Sequence, residues 1–201
     1  YGNVSLVGDK ARMEFYFPEK PNGQMVVVCP GGGYSTVCAI KEGEDVAKWM
    51  NKRGVTVCVV VYRLPNGHAK VPLTDVQNAF RYCRKHAAEW GISQIGIMGF
   101  SAGGHLAASA SVLFTDSITR PDFSVLIYPV IDLAHHEGTR KELVGDDNML
   151  KEKYSLQNQI GEDTPRTFIA LCQDYKVVNP KSSLLYLSLI HISEPTRRTP
   201  I

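Results

Sequence analysis

The chain has 201 residues, 44% hydrophobic and 21% charged, a balance that fits one globular domain with a sizeable core and excludes a disordered or fibrous polymer. Its 22 Lys and Arg are scattered among 20 Asp and Glu, for a formal net charge of +2. With no basic stripe, neither nucleic acid nor an anionic membrane is suggested as a partner. Cys29, Cys38, Cys58, Cys83 and Cys172 show no metal-like pairing and mostly lie in apolar runs, which reads as buried free thiols rather than a disulfide framework. No apolar run approaches the roughly 20 residues of a membrane span, and no signal peptide is visible.

Strands and helices alternate along the chain, with no internal repeat. Residues 12–17 and 25–29 read as strands, and the second runs straight into Pro30-Gly31-Gly32-Gly33-Tyr34. Such a triplet exposes bare amides, which suits either an anion loop or a plain turn. No Lys-Ser/Thr of a Walker loop follows, and Tyr34-Ser35-Thr36 begins no dinucleotide fingerprint. Residues 42–53 place Val46, Trp49 and Met50 on one helical face and stop at Gly54; residues 55–62 form the next strand. Residues 75–90 repeat the helical pattern with Val76, Ala79, Phe80, Cys83 and Trp90 and stop at Gly91. Residues 94–99, 123–128 and 167–172 read as further strands. The charged segment 131–164 reads as a helical excursion over the carboxyl ends of the strands. This alternation predicts a mostly parallel sheet covered on both faces, with functional loops at those ends.

Gly99-Phe100-Ser101-Ala102-Gly103 lies between an apolar strand and a small-residue helix that begins Gly104-His105-Leu106. This is the pattern of a nucleophile elbow, in which a serine held on a strained strand-to-helix turn is exposed at the sheet's end. The bland alternative is a Gly/Ser-rich turn. Acyl transfer also needs backbone N–H donors for the oxygen that becomes negative. Gly32, Gly33 and Ala102, the residue after the serine, are the candidates.

With these blocks the chain resembles the α/β-hydrolases and, within them, bacterial carboxylesterases of the acetylxylan- and feruloyl-esterase type. The same resemblance extends to Val60-Val61-Tyr62-Arg63-Leu64, Pro72-Leu73-Thr74-Asp75-Val76-Gln77, Arg120-Pro121-Asp122-Phe123 and Tyr128-Pro129-Val130-Ile131. Pro30 stands where related lipases carry a histidine before three glycines, as in the sugar-esterase variant. The resemblance implies a three-layer α/β fold with a mostly parallel central sheet. It also implies a serine carboxylesterase acting on short acyl esters, acetyl esters of xylan among them, with no cofactor and a small-molecule or carbohydrate ester as partner. Tyr34 and His105 are candidates for substrate binding.

A triad of this kind runs Ser, then acid, then His. The acid belongs on the loop Gln173-Asp174-Tyr175-Lys176-Val177-Val178-Asn179-Pro180. The family shows paired aspartates there, with the second in catalysis; Tyr175 takes that place here, leaving Asp174 as the loop's carboxylate and the candidate acid. No glycine-flanked histidine follows on a further strand. Instead, Leu187-Ser188-Leu189-Ile190-His191-Ile192-Ser193-Glu194-Pro195-Thr196-Arg197 resembles an in-frame translation of a transposase adapter from sequencing libraries. That predicts residues 1–186 as the hydrolase domain, incomplete at its C-terminus before the last strand and the histidine loop and incomplete at its N-terminus too, and residues 187–201 as a non-native tail. Among the other histidines, His105 packs against the sheet, His135 and His136 sit in the excursion, His68 lies in a loop and His86 on a surface helix. None replaces the missing base, so little turnover is expected of the chain. The His135-His136 pair has no acidic or thiol partner at zinc-like spacing, so no metal site is predicted. Two other classes share part of the pattern. A prolyl-oligopeptidase-like peptidase has the same elbow but usually adds a propeller domain. A non-catalytic binding protein on this scaffold accounts for Tyr175 but leaves the elbow unexplained.

Overall fold

The computed structural model describes residues 10–171 and 180–193. Six strands form one sheet: β1 (Arg12–Tyr16), β2 (Gln24–Cys29), β3 (Thr56–Val61), β4 (Gln94–Phe100), β5 (Phe123–Ile127) and β6 (Arg166–Ala170). Their order across the sheet is β1-β3-β2-β4-β5-β6. β1 pairs antiparallel with β3 at one edge, and every other pairing is parallel. The central strands β2 and β3 are near-continuous Val, Met, Thr and Cys runs, buried from Met25 to Cys29 and along all of β3, as a parallel sheet covered on both faces demands.

The helices are α1 (Asp45–Asn51), α2 (Lys70–His86), α3 (Ser101–Val112), α4 (Glu137–Val144), α5 (Asn148–Lys153) and α6 (Pro180–Ser193). Alternating side chains sort the core into two layers. Val26, Val28, Val57 and Val59 meet Ala47 of α1 on one face. On the other, Met25, Val27, Cys58, Val60, Ile95 and Ile97 meet Val76, Ala79 and Phe80 of α2 and Leu106, Ala107 and Ala110 of α3. α3 is buried from Ala102 to Ser111; its small residues let its axis approach the sheet closely.

The structure departs from the sequence pattern at several points. A single turn of π-helix at Ile40–Glu44 precedes α1. Trp49 does not face the sheet: it is 54% exposed and lies under the Arg53 guanidinium, 3.7 Å from its ring centroid, a favourable cation–π contact. The inward positions are Ala47 with Val46 and Met50. α2 begins at Lys70, before the predicted start at residue 75, because Pro72 falls in the first turn, where its missing N–H is not needed. Trp90 lies in the turn beyond that helix. The excursion consists of α4, α5 and two short 3₁₀ turns, anchored in the core by Leu143, Val144, Tyr154 and Leu156. α6 runs without a break across residue 186, burying Tyr186 and Ile190 four positions apart and leaving Leu184, Leu185 and Ile192 exposed. Among the described residues no helix is long and apolar enough to cross a membrane.

One ion pair ties the layers at the end of β3. Asp75 of α2 accepts from the Arg63 N–H at 2.9 Å and from the Arg63 guanidinium at 2.7 to 3.1 Å, and its side chain is only 4% exposed. Asp75→Ala strands both donors, and a loss of about 2–3 kcal/mol in denaturant-unfolding free energy is expected.

Candidate active site

Parallel pairing brings the site together. Cys29 of β2 lies opposite Gly99 of β4, and Phe100 of β4 opposite Ile127 of β5. The segments leaving these three strands therefore emerge side by side. Each carries a non-glycine residue at positive φ: Tyr34 at 64°, Ser101 at 51° and Tyr128 at 37°. Such strain, on the order of 1–3 kcal/mol per residue, persists only where the surroundings impose it.

Ser101 opens α3, half-buried. The elbow closes because α3 lies hard against the end of β2: a Cβ at Gly103 would fall on the carbonyl oxygens of Cys29 and Pro30. The Ser101 carbonyl accepts from the Val130 N–H at 3.1 Å, fixing the elbow to the segment after β5. Phe100 supplies no side-chain cap to α3, and the positive end of the helix dipole lies at the elbow; Ala102, the residue after the serine, is itself fully buried.

The glycine loop turns its carbonyls into its own hydrogen bonds. Pro30 C=O accepts from the Tyr62 hydroxyl at 2.7 Å and Gly31 C=O from the Cys38 N–H at 2.9 Å. Gly32 C=O accepts from the Ser35 and Thr36 N–H groups at 3.2 and 3.1 Å. Among the described residues nothing accepts from the N–H of Gly32 (φ 136°) or Gly33 (φ 66°). These are the amides the sequence nominates as oxyanion donors, and the residue before them, Gly31, lies against the elbow, where a Cβ would fall 3.2 Å from Ser101 Cβ.

Tyr34 and His105, expected to bind substrate, are instead 1% and 0% exposed. The Tyr34 hydroxyl lies 3.0 Å from His105 Nδ1, and His105 Nε2 lies 2.8 Å from the Tyr154 carbonyl oxygen. A carbonyl only accepts, so Nε2 carries the proton and Nδ1 accepts from the hydroxyl. The pair braces the glycine loop against α3 and the excursion, out of a ligand's reach. Burial pushes the His105 imidazole down to about 4, against the pull of the Tyr154 carbonyl and helped by His136. Neutral and engaged at both nitrogens, it is no base for Ser101.

Of the remaining histidines, all but His68 have a partner for the side chain among the described residues. His135 Nδ1 donates to Asp132 Oδ2 at 2.6 Å. Burial works to raise the Asp132 carboxyl, but donors from Ala134, His135 and Ser155 outweigh it and hold it below its ordinary value. His136 accepts from the Thr139 N–H at the start of α4. His86 stacks on Trp90, His68 is exposed, and His191 meets the Leu187 carbonyl on α6. Asp174 and Tyr175 lie outside the described residues. Two residues to which the sequence assigned no role join the site. Glu42 Oε2 accepts from the Gly31 N–H, and its Oε1 accepts from the Tyr128 hydroxyl.

A mostly parallel sheet covered on both faces, with a strained serine at the turn from a central strand into a buried helix and a glycine loop beside it, is the architecture of the α/β-hydrolases. The chain belongs to this family: the family model described as the alpha/beta hydrolase fold matches residues 26–171. It is 39% identical over 179 residues to an acetylxylan esterase from Xylanibacter ruminicola, covering 84% of this chain and 37% of that protein. It is 32% identical over 185 residues to endo-1,4-beta-xylanase B from Butyrivibrio fibrisolvens, covering 82% and 29% respectively. The crystal structure of an acetyl ester-xyloside bifunctional hydrolase from Caldicellulosiruptor lactoaceticus superposes with a TM-score of 0.84 at 34% identity, covering 92% of this chain and 74% of that one. The chain spans less than two fifths of the length of the curated relatives it matches.

The His105 brace makes stability depend on pH. The unfolded chain protonates this imidazole below its ordinary value of 6.5, the folded one only near 4, so stability rises with pH across that window and is level above it. Denaturant unfolding should lose about 2 kcal/mol between pH 7 and 4.5. A folded His105→Gln variant, which keeps a donor and an acceptor but does not titrate, should lose that much less over the same range.

Proposed function

We propose that this chain is the nucleophile-bearing core of a serine carboxylesterase that removes short acyl groups, acetyl in particular, from plant-wall polysaccharide such as xylan. The observation that carries it is the strained Ser101 set beside the uncommitted amides of Gly32 and Gly33. The relatives support this substrate class, one being named for acetylxylan and others for xylanase and acetyl ester-xyloside hydrolase.

In this mechanism Ser101 Oγ attacks the acyl carbon while its proton passes to a histidine, which we place outside these 201 residues. The triad acid, for which Asp174 is the candidate, orients that histidine. The carbonyl electron pair moves onto oxygen, where the N–H groups of Gly32, Gly33 and Ala102 hold it; each such donor is worth roughly 10²–10³ in rate. Collapse expels the sugar oxygen, which takes the proton from the histidine and leaves the acyl group on Ser101. Water then attacks with the same base, releasing the carboxylic acid and restoring the serine. The mechanism calls for no cofactor. We place the end of the domain's own sequence at residue 186; the Leu-Ser-Leu-Ile run that follows is itself compatible with a helix, which is why α6 carries on to Ser193.

Without its base, Ser101 of the 201-residue chain should turn over aryl acetates on the order of 10⁶-fold more slowly than a complete triad. Slow labelling by a fluorophosphonate should still map to Ser101 by peptide mass spectrometry and vanish in Ser101→Ala. Labelling that survives the substitution would remove the serine mechanism, and hydrolysis of aryl amides but not esters would point to a peptidase.

A further inference from the structure

Glu42 connects two segments that do not touch in the sheet. Its Oε2 accepts from the Gly31 N–H at 2.6 Å, in the loop after β2. Its Oε1 accepts from the Tyr128 hydroxyl at 2.9 Å, in the segment after β5. Between β2 and β5 lies β4, so the carboxylate spans the end of the strand that presents the nucleophile. The contact is close. A Cβ on Gly31 would lie 2.7 Å from both Glu42 Oε2 and the Phe100 carbonyl oxygen, and 3.2 Å from Ser101 Cβ. No side chain fits at position 31 without displacing the elbow or the carboxylate.

The carboxylate is placed by an unusual piece of backbone. Glu42 sits in the π-helical turn Ile40–Glu44, downstream of the glycine loop, with the Glu44 N–H reaching back to the Ala39 carbonyl at 2.8 Å. Turns of this kind recur at functional sites. Here it returns the loop's own downstream carboxylate to the loop's first amide. At 2.6 Å the N–H···O contact belongs to the short, charge-assisted class. The other end of the bridge is fixed as well: Tyr128, at its strained φ, donates its N–H to the Ala170 carbonyl at 2.6 Å.

We propose that Glu42 is a positioning residue for the oxyanion hole, holding the Pro30–Gly31 peptide so that the next two amides are presented at Ser101. The proposal rests on the reading of Ser101 as an acyl-transfer nucleophile. With the Gly31 N–H taken by Glu42 and the loop carbonyls taken by Cys38, Ser35 and Thr36, the N–H groups of Gly32 and Gly33 have no acceptor among the described residues. Displacement of such donors by a fraction of an ångström is enough to weaken catalysis.

The test compares the chain with Glu42→Ala, Glu42→Gln and Tyr128→Phe, each first shown to unfold cooperatively. Two readouts are taken on the same samples: the shift and hydrogen exchange of the Gly31 amide in glycine-labelled protein, and the rate of Ser101 phosphonylation by a fluorophosphonate. Glu42→Ala should move the Gly31 proton upfield, speed its exchange and slow phosphonylation by about 10²-fold, the worth of one displaced oxyanion donor. Glu42→Gln keeps an acceptor for Gly31 and a donor for Tyr128, and should restore most of both readouts. Tyr128→Phe should fall between. If Glu42→Ala does not fold, the Gln and Phe variants carry the comparison through the same readouts. The proposal is overturned if the Gly31 signal is unchanged by loss of the carboxylate, or if Glu42→Gln phosphonylates as slowly as Glu42→Ala. If the unsubstituted chain is not phosphonylated at all, the acyl-transfer reading fails, while the Gly31 signal still decides whether Glu42 sets the loop.

Discussion

The pairing of β2 with β4, Cys29 opposite Gly99, is the constraint on which the site depends. Neighbouring strands lie about 4.8 Å apart, so whatever leaves the two carboxyl ends is held within reach of one active centre. That proximity survives only because α3 can start immediately after β4 without colliding with the end of β2. The bare α-carbon of Gly103 against the Cys29 and Pro30 carbonyls makes this possible. A side chain there would lift α3, move Ser101 and open the gap between nucleophile and glycine loop together. The elbow and the glycine loop are therefore one packing unit.

Much of this was legible in the sequence because the information is local. Runs such as Met25-Val26-Val27-Val28-Cys29 state their burial in their composition, and the glycines around Ser101 and after Pro30 mark the turns that only small residues allow. The features that escaped depend on distance or on breaks in periodicity. The helix read from residue 75 begins five residues earlier, at Lys70, because the first helical turn tolerates Pro72. Trp49 keeps helical spacing yet points outward onto Arg53. Tyr34 and His105 read as pocket residues, since position beside the motifs says nothing about burial. Glu42 meets Tyr128 across 86 positions of sequence, and the π-turn that aims it breaks the period by which a helix is recognised.

A loop built from three glycines has no side chains with which to pack itself, and glycine loses more backbone freedom on ordering than any other residue. Its order must come from its neighbours, and they hold it from both faces of the sheet. On the α2–α3 side, Tyr62 fixes Pro30, and Tyr34 ties the loop's end to His105 and, through it, to the Tyr154 carbonyl. On the α1 side, Glu42 fixes Gly31 and leans on Tyr128. Both supports use tyrosine hydroxyls to reach across elements, which lets a bulky apolar ring fill core space while its tip satisfies a polar group.

The two supports differ in what they ask of their charged partner. The His105 brace is built for a neutral imidazole: Nε2 donates to the Tyr154 carbonyl and Nδ1 accepts from Tyr34, and a proton on Nδ1 would end that donation and force the hydroxyl to turn and accept. Burial away from water enforces that neutrality. Glu42 is the converse case, an acceptor meeting two donors, one of them the backbone amide that a glycine loop would otherwise leave without a partner. Placing that acceptor at Gly31 rather than at Gly32 or Gly33 is what separates support from function. The first amide of the triplet holds the loop, and among the described residues the two that follow have no acceptor.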